Sequence, residues 1–315
     1  MSTESHPRQK VAIVTDSAIG LGPALSTRLR SGGGFVSISL PLMVGDQIFT
    51  EEDDPSLKER LVIASAEGRR MTTSRPSPGA FAAAYESLAS EGYEHIVSIH
   101  LSSELSGTVD AARASARGAK ASVSVIDSRT VAMAQGMAVV AALDVARSGG
   151  SPAEVEAAAG EAARCARLLF YVPTLDALAR SGRIPKSLAM VGQMFQIQPI
   201  ATVQKGRLKY VERPRQEAAA VKRLGELVVA DARQALAEDE ASRGEDGRVV
   251  VAIQDFYGSA LANRLADLVT LELGSRAIVV RSEVPPVLAI HAGLGPVSAV
   301  CEPAGLVPEL SSTSS

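Results

Sequence analysis

Short apolar runs alternate with stretches in which apolar residues recur every three or four positions. Val11–Thr15 is such a run, ending at Asp16 and Ser17, and Pro23–Arg30 after it has helical character, closed by Gly32–Gly34. Val36–Leu42 reads as the next strand, Asp46–Asp54 as a polar hairpin or loop, and Pro55–Glu67 as a helix ended by Gly68. Ser77–Ser90 places Phe81, Tyr85 and Leu88 at helical spacing. Ser77 is set to cap that helix, with Pro78 at its first position. His95–Leu101 is strand-like, Ala111–Arg117 helical, Ser122–Ile126 a strand, and Thr130–Arg147 a long apolar helix before Gly149–Gly150. This alternation predicts a parallel sheet with helices on both faces.

From Ser151 the rhythm changes. Pro152–Arg167 is an amphipathic helix with Ser151 and Glu154 in a capping-box pattern. Strands follow at Leu168–Val172, Pro199–Gln204 and Leu208–Glu212, the last two flanking a Lys205–Gly206 turn. Helices at Glu217–Glu238 and Ser259–Leu273 alternate with strands at Arg248–Gln254 and Ala277–Ser282, and a final strand is expected near Val287–His291. The expected fold is therefore α/β: a Rossmann-like parallel-sheet domain over 11–150, then an α+β domain with a mixed sheet over 151–302. The polar ends, 1–10 and 303–315, are expected to be loose.

Composition narrows the function. With 46% apolar and 21% charged residues the chain reads as an ordinary soluble globular protein. Lys and Arg total 32 against 35 Asp and Glu, so no basic excess attracts a nucleic acid. Aromatics are 3% with no Trp, which removes the usual stacking platform for single strands. Cys165 and Cys301 have no metal-type spacing and fit a reducing compartment. No metal and no cofactor are expected. The start is polar rather than signal-like, and no apolar run reaches the roughly 20 residues of a membrane span, so a cytoplasmic protein is expected.

Four polar clusters sit where apolar runs end, which is where open parallel sheets collect ligands. They are Thr15–Ser17, Thr72–Pro78, Ser102–Thr108 and His291–Pro296. Asp16 and Ser17 equally suit plain turn chemistry, and a lone His291 is more often a structural residue than a ligand. The second cluster offers four hydroxyls, of which helix capping explains one. The third precedes a helix, whose free amides suit an anion. Gly20-Leu21-Gly22 is only half of a dinucleotide pattern, and no P-loop, nucleophile elbow or zinc helix is present.

In order along the chain, Val14–Ser17, Thr73–Pro78, Ser102–Thr108, Val125–Ser128, Ser181–Ile184 and His291–Gly295 resemble the motifs of the DegV family. The resemblance implies a two-domain fatty-acid binder that presents its ligand to a separate fatty acid kinase, which makes an acyl phosphate for phospholipid synthesis. By motif, Thr73 and Ser106 hold the carboxylate with Ser74 beside them, His291 completes the pocket, and Arg183 lies near it. Arg213 and Arg215 match a segment linked to the kinase partner.

The residues agree with this on their own terms. A buried carboxylate needs several donors, and hydroxyls with an imidazole supply them. A sixteen-carbon tail buried at ~0.8 kcal/mol per methylene gains on the order of 11 kcal/mol before ordering costs. Met190, Met194, Phe195 and Ile197 are candidates for its tunnel, with ordinary core packing as the alternative for each. Against the family pattern, Arg75 replaces a Gln and Ala292 a Thr. Two other readings stay open: a serine-dependent hydrolase or phosphotransferase using Ser106 with His291, and a lipid sensor without a kinase partner.

Overall fold

The computed structural model describes residues 10–49, 56–182 and 197–311. Among these residues the strands form three sheets. The first contains β1 (Val11–Asp16), β2 (Phe35–Ile38), β6 (His95–His100) and β7 (Ser122–Asp127), all parallel, in the order β2-β1-β6-β7. A small antiparallel sheet joins β3 (Leu42–Val44), β4 (Gln47–Phe49) and β5 (Met71–Thr73) in the order β4-β3-β5. The largest is mixed: β8 (Arg167–Tyr171), β9 (Ile200–Gln204), β10 (Arg207–Glu212), β11 (Val249–Asp255), β12 (Ala277–Glu283) and β13 (Val297–Pro303). Its order is β10-β9-β8-β13-β11-β12, with β11 and β12 parallel and the other pairs antiparallel. The fold is thus α/β, with a parallel sheet and a separate mixed one.

Strand alternation explains the layering. Val11, Ile13, Val97 and Ile99 face inward from the parallel sheet, and Leu168, Val250, Ala252 and Val300 face them from the mixed sheet. Between lies the helix Met133–Arg147, buried at every position from Met133 to Leu143. A helix apolar all round is stable only in such a place. The helix Pro152–Cys165 packs against it, entered through the expected capping box at Ser151 and Glu154. Helices Pro78–Ser90 and Thr108–Ala116 cover the outer face of the parallel sheet through Phe81, Tyr85, Leu88 and Ala112. Helices Glu217–Arg243 and Ser259–Leu273 cover the outer face of the mixed sheet.

Several expectations need correction. Val287–His291 is not a strand but part of the helix Pro286–Ala292; Pro285–Pro286 starts it, and the last strand lies later, at Val297–Pro303. The long apolar helix begins at Met133 rather than Thr130, because Arg129 and Ala132 take positive φ. Val36–Leu42 divides: β2 ends at Ile38 and Leu42 opens β3. The tail beyond 303 is not loose as far as it is described. The short helix Pro308–Ser311 packs on Met133–Arg147, Leu310 is buried, and Glu309 pairs with Arg28 at 3.2 Å. Among the described residues no helix is long and apolar enough to cross a membrane.

Candidate functional site

A cavity of ≈ 120 Å³ opens between the two large sheets, beside the start of the central helix. The loops after β1 and β6 supply Ala18 and Leu101, the mixed sheet supplies Leu168, Phe170, Leu208 and Ser298, and the segment before the central helix supplies Val131 and Ala132. The polar side chains among its described lining residues are Thr73, Ser106, His291 and Ser298, and no charged side chain is in that lining. Neutral donors in an apolar cleft suit an oxygen-bearing head group attached to an apolar body.

Each polar residue has a local reason for its place. Thr73 ends β5, whose pairing with β3 sets Thr73 opposite Leu42. The helix Pro286–Ala292 packs against β5 and carries His291 in its last turn. His291 Nε2 and Thr73 Oγ1 meet at 2.9 Å. With Nε2 protonated, His291 donates to Thr73 Oγ1 and leaves the Thr73 proton for another acceptor. Ser106 precedes the helix Thr108–Ala116, and its hydroxyl meets Thr108 Oγ1 at 2.8 Å.

The other hydroxyls of this turn brace it. Ser102 Oγ donates to Gly206 O at 2.8 Å, fixing the turn against the β9–β10 hairpin. Glu104 pairs with Arg207 at 2.9 Å across the same contact. Ser103 donates through both its backbone N–H and its hydroxyl to the carboxylate of Asp127, which gives that carboxylate a structural task.

Asp16 of the first cluster proves to belong to a sealed hydrogen-bonded string on the outer face of the parallel sheet. Asp16 Oδ2 meets His100 Nδ1 at 2.9 Å, His100 Nε2 meets Ser98 Oγ at 2.7 Å, and Ser98 meets Tyr85 OH at 2.9 Å. Asp16, His100 and Ser98 are each 0% exposed. Burial pushes the Tyr85 hydroxyl pKa up to about 12, so it stays protonated. An Asp–His–Ser string is present, therefore, but sealed from any substrate. Asp16 also accepts from the backbone N–H groups of Ala18 at 3.1 Å and Leu101 at 3.0 Å. Both of those residues line the cavity. The sealed string thus holds two pieces of the cavity wall.

The structure brings Thr73, Ser106 and His291 to one cavity. Ser74 is not part of that lining: it is exposed, and its hydroxyl donates to Arg75 O at 3.3 Å. Ile197 packs against the small apolar cluster of Val172, Leu175 and Leu178, on which the wall residues Leu208 and Ala292 also pack. Arg213 is exposed and stacks 5.1 Å from the centre of the Tyr210 ring, and Arg215 is exposed nearby. Arg183, Met190, Met194 and Phe195 lie outside the described residues. Sequence reasoning missed Ser298, Phe170 and Leu208; only their alternation along strands points them inward. Among the described residues no group of His, Cys, Asp and Glu could hold a metal ion.

A family model described as "Uncharacterised protein, DegV family" matches residues 10–304. A DegV domain-containing protein of Streptomyces coelicolor is 36% identical over 285 residues, covering 90% of this chain and 95% of that relative. Among solved structures, that of a DegV family protein from Thermus thermophilus, described by its fatty acid binding, is similar at a TM-score of 0.79. It is 26% identical, and the match covers 94% of this chain and 100% of that one. DegV of Bacillus subtilis, a fatty acid binding protein, has a similar fold at a TM-score of 0.78 and 24% identity, over 93% of this chain and 99% of its own.

Proposed function

The chain belongs to the DegV family, and from that premise we propose that it binds one long-chain fatty acid, head in the polar part of the cavity and tail along its apolar walls. The observation that carries this reading is the lining itself: Thr73, Ser106 and His291 converge on a cleft otherwise walled by residues such as Leu101, Leu168 and Phe170. Hydroxyl donors, with Thr73 freed to donate by the imidazole behind it, satisfy a carboxylate without a fixed counter-charge, while the apolar wall supplies most of the affinity. The Thermus thermophilus relative binds fatty acid, which favours the same ligand class here.

In this reading the chain carries the acid in the cytoplasm and presents its carboxylate to a fatty acid kinase, with Arg213 and Arg215 as contacts for that partner. Arg213 and Arg215 are both exposed and neither lines the cavity, which supports a docking role.

Extraction of the purified protein into organic solvent, followed by mass spectrometry, should recover a long-chain acid. No recovered acid, together with no calorimetric binding of hexadecanoic acid, would sink the proposal. Replacing Arg213 and Arg215 with Ala should spare binding and slow phosphorylation by a kinase; equal loss of both would reject the assignment. Release of acid from a chromogenic ester would instead favour a hydrolase.

A further inference from the structure

Ser298 stands apart from the other polar residues of the cavity. It is the second residue of β13, between Phe170 on β8 and Gln254 on β11. The turn before it reverses the chain sharply after His291, with Gly293 and Gly295 both at φ 83°. Thr73 is bonded to His291 and Ser106 to Thr108, but the Ser298 hydroxyl is buried and has no hydrogen-bond partner among the described residues. The residue is 5% exposed and lines the cavity.

A buried hydroxyl without a partner is destabilising, and a Val or Ala in its place would complete the apolar wall at no such cost. Cross-strand alternation sends Ser298 to the same side as Phe170, another lining residue, so its side chain faces the cleft and its hydroxyl proton is free to turn toward a ligand there. We infer that Ser298 is a further ligand-binding residue, donating a hydrogen bond to an oxygen of the bound acid and so determining which acyl ligands are retained. The inference rests on the fatty-acid reading above. The acceptor is a carboxylate oxygen or an oxygen substituent on the chain, and two ligands separate these sources.

Ser298→Thr and Ser298→Val have nearly the same shape and differ in the hydroxyl alone; both suit a strand. Binding of octadecanoic acid and of a monohydroxylated octadecanoic acid would be measured by calorimetry for the wild type and both variants. If the carboxylate is the acceptor, the Val variant should bind both acids about tenfold more weakly than the Thr variant. If a chain oxygen is the acceptor, that ratio appears for the hydroxylated acid only. Equal or tighter binding of both acids by the Val variant overturns the inference. Wild-type protein that binds neither acid overturns the fatty-acid reading itself, a separate outcome. Both variants unfold at similar denaturant concentrations if the comparison is sound, and a Ser298→Ala variant repeats the measurement should either fail to fold.

Discussion

Two groups of hydroxyl and imidazole side chains lie on either side of the loops that follow β1 and β6, and they are built in opposite ways. In the outer group Asp16, His100, Ser98 and Tyr85 pass hydrogen bonds from one to the next, all away from water. In the inner group Thr73, His291, Ser106 and Ser298 come from four separate segments and share a cavity. The first resolves its polarity within the protein and so acts as scaffold. The second leaves hydrogen-bonding capacity facing a cleft, as the proposed binding of an acid requires. Ala18 and Leu101 connect them, each giving its backbone N–H to Asp16 and its side chain to the cavity wall.

If that division is right, the largest effect belongs to Asp16. Asp16→Ala strands three buried donors at once, the N–H groups of Ala18 and Leu101 and the His100 ring nitrogen. Unfolding in urea should show a loss of about 3–5 kcal/mol. A loss below about 1 kcal/mol would mean the string is ornamental to folding.

Glu302 carries the comparison to the mixed sheet, because it is a buried carboxyl with nothing like the partners of Asp16. Both of its oxygens lack a hydrogen-bond partner among the described residues. Burial holds its pKa well above the usual carboxylate range; Arg167 opposes this less strongly. The folded protein therefore keeps a proton that the unfolded chain releases above a pH of about 4.3. The contribution of this group is fully present below that value and is lost as pH rises toward the folded pKa. Glu302→Gln should flatten the fall in stability with pH, so its stability relative to wild type rises as pH climbs above about 4.3 toward the raised folded pKa. Parallel unfolding profiles for the two proteins would contradict this.

The difference between the two polar groups was only half legible in the chain. Strands such as Val11–Thr15 and His95–Leu101 announce themselves through apolar runs, and the Ser259–Leu273 helix through its spacing, since both patterns are local. The clusters at the strand ends were visible too. Their sorting was not: Asp16 reads the same in a turn as in a buried string, because its partners His100 and Leu101 lie 84 and 85 residues away. Strand β5 has only three residues, and pairing with β3 makes it a strand rather than any preference of its own. The helix at Pro286–Ala292 reads as a strand in sequence because a short apolar run does not distinguish the two. Ser298 gave no signal, as a single serine in a strand becomes notable only when its neighbours leave it without a partner.

The next effect should appear in binding rather than folding. Thr73→Val keeps shape and removes one hydroxyl from the cavity. Affinity for hexadecanoic acid should fall about tenfold, with ligand-free stability changed by less than about 1 kcal/mol. The reverse pattern, stability lost and affinity kept, would move Thr73 into the scaffold group.

The smallest effect sharpens the boundary of the site to a single peptide bond. Thr73 and Ser74 are adjacent hydroxyl residues, and the end of a strand sends successive side chains to opposite sides. Thr73 lines the cavity, whereas Ser74 is exposed and makes a long contact with Arg75 O at 3.3 Å. Water replaces an exposed hydroxyl at little cost, so Ser74→Ala should change affinity for hexadecanoic acid by less than about twofold. If it instead weakens binding as much as Thr73→Val, the loop after β5 folds over the carboxylate when the acid enters. The head of the site would then be assembled by the ligand, and the contrast between a finished scaffold and a waiting site would extend from chemistry to motion.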